Sequence, residues 1–179
     1  MVLLINASPR RNGATHAILD EIAHVLGNSC TQLRLSDYEI GYCRGCKHCY
    51  KTARCVQSDG MDAILQCMEA ADSIVIASPS YWGDMTGQLK VFIDRCTPYC
   101  NTHQPHACLS EGKRGYAVAL RTGEKPGECP HIIASMQHFY GHMGIEFDPR
   151  SGLYFCGIEE AGDIVRHHDE IRQFAGGIL

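Results

Sequence analysis

The stretch "SIVIASPSYWGDMTGQLKVFIDRC", residues 73 to 96, decides the fold. Its first six residues form an apolar run of strand length, and "TGQLKVFIDRC" carries the spacing of a helix. Between them Pro79 and Gly83 predict a sharp turn. A strand that runs through a tight loop into a helix is the repeating unit of an α/β domain. The unit recurs on both sides. Upstream, Val2 to Ile5 is a short buried-strand run, and in "HAILDEIAHVLG" Ile18, Ile22, Val25 and Leu26 share a helical face that Gly27 can end. "CTQLRLSD" alternates as a half-exposed strand, and "DGMDAILQCMEAAD" predicts a helix capped by Asp59 with Met61, Ile64, Leu65 and Met68 on one side. Downstream, "GYAVALRT" predicts a strand and "PHIIASMQHFYGH" a helix. "GIEF" through "SGLYFC" predicts the last strand and "AGDIVRHHDEIRQFA" the closing helix. Five strands alternating with five helices predict a parallel sheet covered by helices on both faces.

Composition narrows the class. At 179 residues the chain is expected to fold as one domain, 1–179, with a core of its own. Its apolar runs are far shorter than the ~20 residues needed to cross a bilayer, so no membrane span is expected. A net charge of −4 with interspersed acids and bases argues against nucleic acid as a partner. "MVLLINASPRRNG" lacks a basic stretch ahead of its apolar run, which predicts a reducing cytoplasm rather than export. Eleven cysteines, an odd number, fit metal or redox use there better than a disulfide framework.

In an open parallel sheet, ligands bind beyond the carboxyl ends of the strands. The loop after the first strand, "ASPRRNGAT", offers Ser8, Arg10, Asn12, Gly13 and Thr15 at the mouth of a helix, a setting that suits a phosphate. The loop after the third strand presents Tyr81 and Trp82, the only tryptophan, beside Pro79, Ser80 and Gly83, a setting that suits a planar ring system. Phosphate at one loop and rings at the other describe a mononucleotide across the sheet edge. The plainer alternatives are a capped helix start and aromatics covering the end of the core.

"SPRRNGAT", "CRGCKHCYKTARC" and "ASPSYWGDMTGQLKVFIDR", in that order, resemble the flavodoxin-like NAD(P)H-dependent FMN reductase superfamily, and within it the iron-sulfur flavoproteins. The resemblance implies a flavodoxin-like three-layer sandwich with a five-stranded sheet of order 2-1-3-4-5, bound FMN, and assembly as a homodimer or homotetramer. It places the FMN phosphate on Ser8, Arg10, Asn12, Gly13 and Thr15, and the isoalloxazine beside Pro79, Ser80, Tyr81, Trp82 and Gly83. Thr122 and Gly123 of "RTGEKPG" would close over the ring. It implies electron transfer from NAD(P)H or a ferredoxin-like donor to a quinone, metal ion, oxygen species or redox protein. A flavodoxin-type electron carrier without a substrate pocket and a thiol-sensor module are the alternative classes.

Cys43, Cys46, Cys49 and Cys55 are spaced C-x2-C-x2-C-x5-C, so that three thiolates at intervals of three can wrap one compact cluster while the fourth closes it. A [4Fe-4S] cluster, free thiols and a zinc site all stay open, with the cluster favoured also by the resemblance. Where the resembling pattern reads Asp-Asp-Met, this chain has Asp59, Gly60 and Met61. A second run, Cys96, Cys100, His103, His106 and Cys108, matches no known zinc spacing and is expected to be a surface or subunit-contact loop. His167 and His168 are expected to be solvated, and Cys30, Cys67, Cys129 and Cys156 to act as small hydrophobes. No acid, base or nucleophile set stands out, and "RTGEKPG" lacks the ending of a P-loop.

Overall fold

The computed structural model describes residues 1–178. Strands β1 (Val2–Asn6), β2 (Cys30–Arg34), β3 (Ser73–Pro79), β4 (Arg114–Leu120) and β5 (Gly152–Phe155) form a parallel sheet of order β2-β1-β3-β4-β5. Helices α1 (Ala14–Leu26), α2 (Cys49–Thr52), α3 (Met61–Ala70), α4 (Gly87–Arg95), α5 (Cys129–His142) and α6 (His168–Gly176) complete the chain. This is the expected flavodoxin-like sandwich. Among the described residues no helix is long and apolar enough to cross a membrane.

The period of two along each strand divides the core. Leu3, Ile5, Ile74, Ile76, Ala117 and Ala119 pack against Ile64, Met68, Leu89, Phe92, Ile132 and Met136 of α3, α4 and α5. Val2, Leu4, Val75, Ala77, Val118 and Leu120 pack against α1 through Ile18, Leu19 and Ile22, and against α6 through Ile171 and Ala175. Both faces are covered, which is why the inner strands read as unbroken apolar runs. Tyr140 is fully buried, and its hydroxyl lies within hydrogen-bond distance of the Tyr116 (2.9 Å) and Ile74 (3.0 Å) carbonyl oxygens, donating its one proton between them. Its ring lies where a side chain on Gly115 would be, 2.7 Å from a Cβ at that position, so β4 needs glycine there.

Four local expectations change. "GIEF" is not part of β5. Gly144, at φ 71°, turns the chain after α5, Glu146 makes a single bridge to Arg114, and Pro149 opens a 3₁₀ turn capped by Asp148 before the strand begins. The closing helix starts as 3₁₀ over Ala161–His167, held by a capping box between Glu160 and Asp163, and becomes α-helical at His168. An additional single turn, α2, lies inside the cysteine stretch. Finally, Gly60 rather than Asp59 occupies the N-cap of α3, although Asp59 Oδ1 does accept from the Met61 N–H (3.1 Å). A Cβ at position 60 would lie 2.8 Å from the Glu39 carbonyl, which accounts for the departure from Asp-Asp-Met.

Candidate functional site

The carboxyl ends of β1, β3 and β4 meet in one cleft lined by Ser8, Arg10, Gly13, Thr15, Pro79, Ser80, Tyr81, Arg121 and Thr122, among others. It encloses about 80 Å³. Small-molecule pockets usually measure ~300 Å³ or more, so a nucleotide here would be gripped by part of its length and otherwise lie in the open. Backbone bonds set the walls. Ala7 N–H donates to Ala77 O (2.9 Å) and Ser80 N–H to Leu120 O (2.7 Å). Thr86, buried at the N-cap of α4, accepts from Leu89 N–H and donates to Ala7 O (2.7 Å), tying the third loop to the first. Thr86 was invisible as a site residue in the sequence, because its partner is 79 positions away.

The first-loop end of the cleft is a bare helix start. No side chain caps α1, so its first N–H groups and the positive end of its dipole face the cleft beside the buried Ser8 and Thr15. Gly13 keeps the cradle open, since a Cβ there would stand 3.1 Å from the Arg10 side chain. An anionic group fits such a place. Arg10 points its guanidinium at Glu160, bidentate at 2.8 Å, and at Glu159 O (3.1 Å), so its charge is already paired in this structure. Asn12 is exposed and does not line the cleft.

At the ring end, Tyr81 and Asp84 exchange backbone hydrogen bonds (2.8 and 3.1 Å) around Trp82 and Gly83. Both central residues have positive φ, 53° and 82°, the geometry of a type I′ turn. Positive φ is natural for glycine and strained for tryptophan, by ~1–3 kcal/mol. The strain holds the Trp82 side chain fully in solvent, with Tyr81 42% exposed beside it. Trp82, Gly83 and Gly123 stand outside the cleft wall. A network not anticipated from sequence underlies the wall: Arg121 Nη1 donates to Glu128 (2.8 Å), and the Ser80 hydroxyl donates to the other carboxylate oxygen. That hydroxyl, more than Arg121, holds the Glu128 carboxyl below its ordinary range. The loop from Thr122 to Gly127 wraps the Arg121 guanidinium so closely that a Cβ at Gly123 would overlap it. The only sequence signal for this clamp was a cation directly after a strand.

The second region is the cysteine loop. Cys43, Cys46, Cys49 and Cys55 line a single cavity of about 200 Å³ with Arg95 in its wall. Burial raises the Cys49 thiol, and the neighbouring Cys43, Cys55 and Cys46 add smaller effects in the same direction. Among the described residues no three His, Cys, Asp or Glu side chains can share one metal ion. A tetrahedral zinc, with Zn–S near 2.3 Å, would need its sulfurs ~3.8 Å apart. Four thiols around one cavity would suit a multi-iron cluster. Arg95 supplies a second sign of fit. Its side chain is 1% exposed, its Nε has no partner, and its guanidinium interacts with Cys55. The guanidinium also binds Asp59 (2.6 and 3.2 Å) and Gly41 O (2.8 Å), and this pair pulls the Asp59 carboxyl down to about 2. Lys47 and Ala53 adopt positive φ, a strained course for a loop that has little ladder to support it.

The second cysteine-histidine run packs as a loop against the first. His103 directs both ring nitrogens at backbone oxygens of Thr97 and Pro105 and stacks on Tyr50 at 4.1 Å. His167 and His168 face Glu170 and Glu21 at the surface. Burial raises the Cys129 thiol to about 11, as expected of a small hydrophobe, and also raises the Cys96 thiol well above its usual range, so Cys96 belongs to the core and not to the surface run in which the sequence placed it.

Fold and cleft together define a flavodoxin-like protein with an open cleft at its strand ends. Residues 1–143 match the model of the NADPH-dependent FMN reductase family, and the chain belongs to that family. It is 34% identical over 174 residues to the iron-sulfur flavoprotein MJ1083 of Methanocaldococcus jannaschii, covering 94% of this chain and 88% of that one. An iron-sulfur flavoprotein of Archaeoglobus fulgidus is 37% identical over 147 residues, 80% of this chain but only 64% of the relative, so the match spans under two thirds of that relative's length. Among solved structures, an FMN-dependent NADH-azoreductase from Bacillus anthracis in complex with FMN shares the fold with a TM-score of 0.64 at 15% identity, covering 98% of each chain.

Proposed function

We propose that the chain is an FMN-dependent oxidoreductase that passes electrons from NAD(P)H or a ferredoxin-like donor to a quinone, metal ion, oxygen species or protein acceptor. The observation that carries the proposal is the single cleft shared by residues 8–15 and 79–81. FMN bound there would supply two-electron and one-electron chemistry. The chain's own residues grip and orient. The α1 N-terminus with Ser8 and Thr15 would hold the phosphate, and Gly13 leaves room for it. Arg10 would turn from Glu160 to the phosphate, while Ser80, kept in place by Glu128, positions the backbone that flanks the ring. Trp82 and Tyr81 supply aromatic surface at the open side, where a donor or a second copy of the chain would approach. Cys43, Cys46, Cys49 and Cys55 would hold a [4Fe-4S] cluster, which would handle single electrons, and the working unit would be a homodimer or homotetramer.

Anaerobic oxidation of NADPH with benzoquinone as acceptor, measured on FMN-loaded protein, tests the reading. Saturable turnover that falls at least tenfold in Gly13→Val supports it. Stable flavin without turnover would make the chain an electron carrier, and failure to retain flavin would remove the assignment altogether.

A further inference from the structure

We propose that His138 and His142 form a chelating site for one divalent ion of the imidazole-preferring class, such as Ni²⁺ or Zn²⁺, at the C-terminal end of α5. The site is separate from the cysteine cavity and does not depend on the redox reading. The two residues are four apart on a helix and therefore share a face. Their Nε2 atoms lie 3.0 Å apart, with the rings nearly perpendicular. Metal–imidazole bonds of ~2.0–2.1 Å put two cis nitrogens ~2.9–3.4 Å apart, so the pair already has the bite of a bidentate ligand. Imidazole is a preferred donor for zinc, nickel and copper.

A supporting shell orients the pair. Asn101 Nδ2 donates to Gly141 O (3.3 Å), which turns Oδ1 towards His142, and Asn101 N–H donates to His142 O (3.1 Å). His142 Nδ1 lies 3.0 Å from that Oδ1. Since an amide oxygen can only accept, Nδ1 carries the proton and Nε2 accepts from His138 Nε2–H; a metal taking the place of that hydrogen bond needs the His138 proton on its Nδ1, the other neutral tautomer. Bound imidazoles are held in this way at metal centres, by a partner on the far nitrogen. The pair opens onto a groove of about 550 Å³ between α4 and α5, whose walls include Asp94 and Cys100. No third protein ligand is in place among the described residues, so the remaining positions fall to water or an added ligand. The spacing of the run from Cys96 to Cys108 assigned it no metal role of its own. The structure gives that loop a supporting one, with Asn101 as the brace and the donors on the facing helix.

The test uses Ni²⁺, which broadens nearby NMR signals without oxidising the thiols. On the full-length protein, one equivalent should broaden amides of residues 138–142 and 101, and calorimetry should record the same equivalent. His138→Gln and His142→Gln should each abolish it, while Cys46→Ser should leave it in place. Asn101→Ala should weaken binding about tenfold and Asn101→Asp, which keeps the acceptor, should restore it. Both histidines are at least partly exposed, so far-UV spectra and melting should be unchanged. Broadening centred on residues 43–55, or binding that survives both histidine substitutions, would overturn the proposal.

Discussion

The strand-end cleft and the cysteine loop lie in the same fold but are held in different ways. Cleft walls are stitched mostly by backbone, through Ala7 to Ala77 and Ser80 to Leu120, with the buried Thr86 hydroxyl as a side-chain tie between the loops, so their placement follows largely from the sheet itself. The loop from Gly41 to Asp59 leaves the sheet and returns through side chains: Arg95 to Asp59 and Gly41, and Gln57 to the Tyr42 carbonyl (3.0 Å). A site made from strand ends should tolerate the loss of any one side chain. A loop closed by one buried ion pair should fail as a unit.

The sharpest way to break the comparison is Asp59→Ala. It leaves the Arg95 charge buried without its partner, which costs about 3–5 kcal/mol, or roughly 6–20 °C in melting temperature for a chain of this size. Iron content should fall with it while flavin remains, as a melt, an iron assay and an absorption spectrum will show. Loss of flavin as well would mean that the two regions are not independent.

The same carboxyl gives the loop an acid limit. Asp59 titrates at about 2 when folded, against ~3.9 when unfolded, so its charge stabilises the protein above pH ~4 and the gain disappears as pH falls towards 2. Urea midpoints between pH 2.5 and 5 should show ~2 kcal/mol of this slope, and Asp59→Asn should flatten it. Asp148 also titrates at about 2 but is half exposed, so it should add little.

Smaller effects belong to the cleft. Gly127→Ala forces a side chain onto φ 49° and into the Arg121 guanidinium, which should cost about 1 kcal/mol and weaken FMN binding severalfold by fluorescence titration. Glu160→Ala removes a solvent-exposed partner of Arg10. Losing its half of the capping box with Asp163 should lower melting by a few degrees at most, and FMN should dissociate more slowly because Arg10 is released to the phosphate.

The alternation of strands and helices, both faces of the core and the two loop motifs were legible because each rests on local spacing, whereas the strand order came only from the family resemblance. Leu3 and Ile5 point one way and Val2 and Leu4 the other by the geometry of a strand. Ser8, Gly13, Thr15 and Ser80 followed from their position just past strand ends. Residues that act at long sequence distance stayed hidden. Arg95 looked like the last turn of a helix, Asp59 like a cap, and Thr86 like a helix start, until folding paired them with residues 36 and 79 positions away. The "GIEF" segment was misread because its apolar residues serve the core without joining the ladder: Ile145 is buried and only Glu146 makes a bridge.

The central claim is that a flavin site at the strand ends and a cluster site in the cysteine loop are separable. Absorption spectra of the anaerobically purified protein and of Cys46→Ser test it most directly. The parent should show flavin bands over a broad brown shoulder, and the variant the flavin bands alone. A colourless parent, or a variant that loses both features together, would contradict the account.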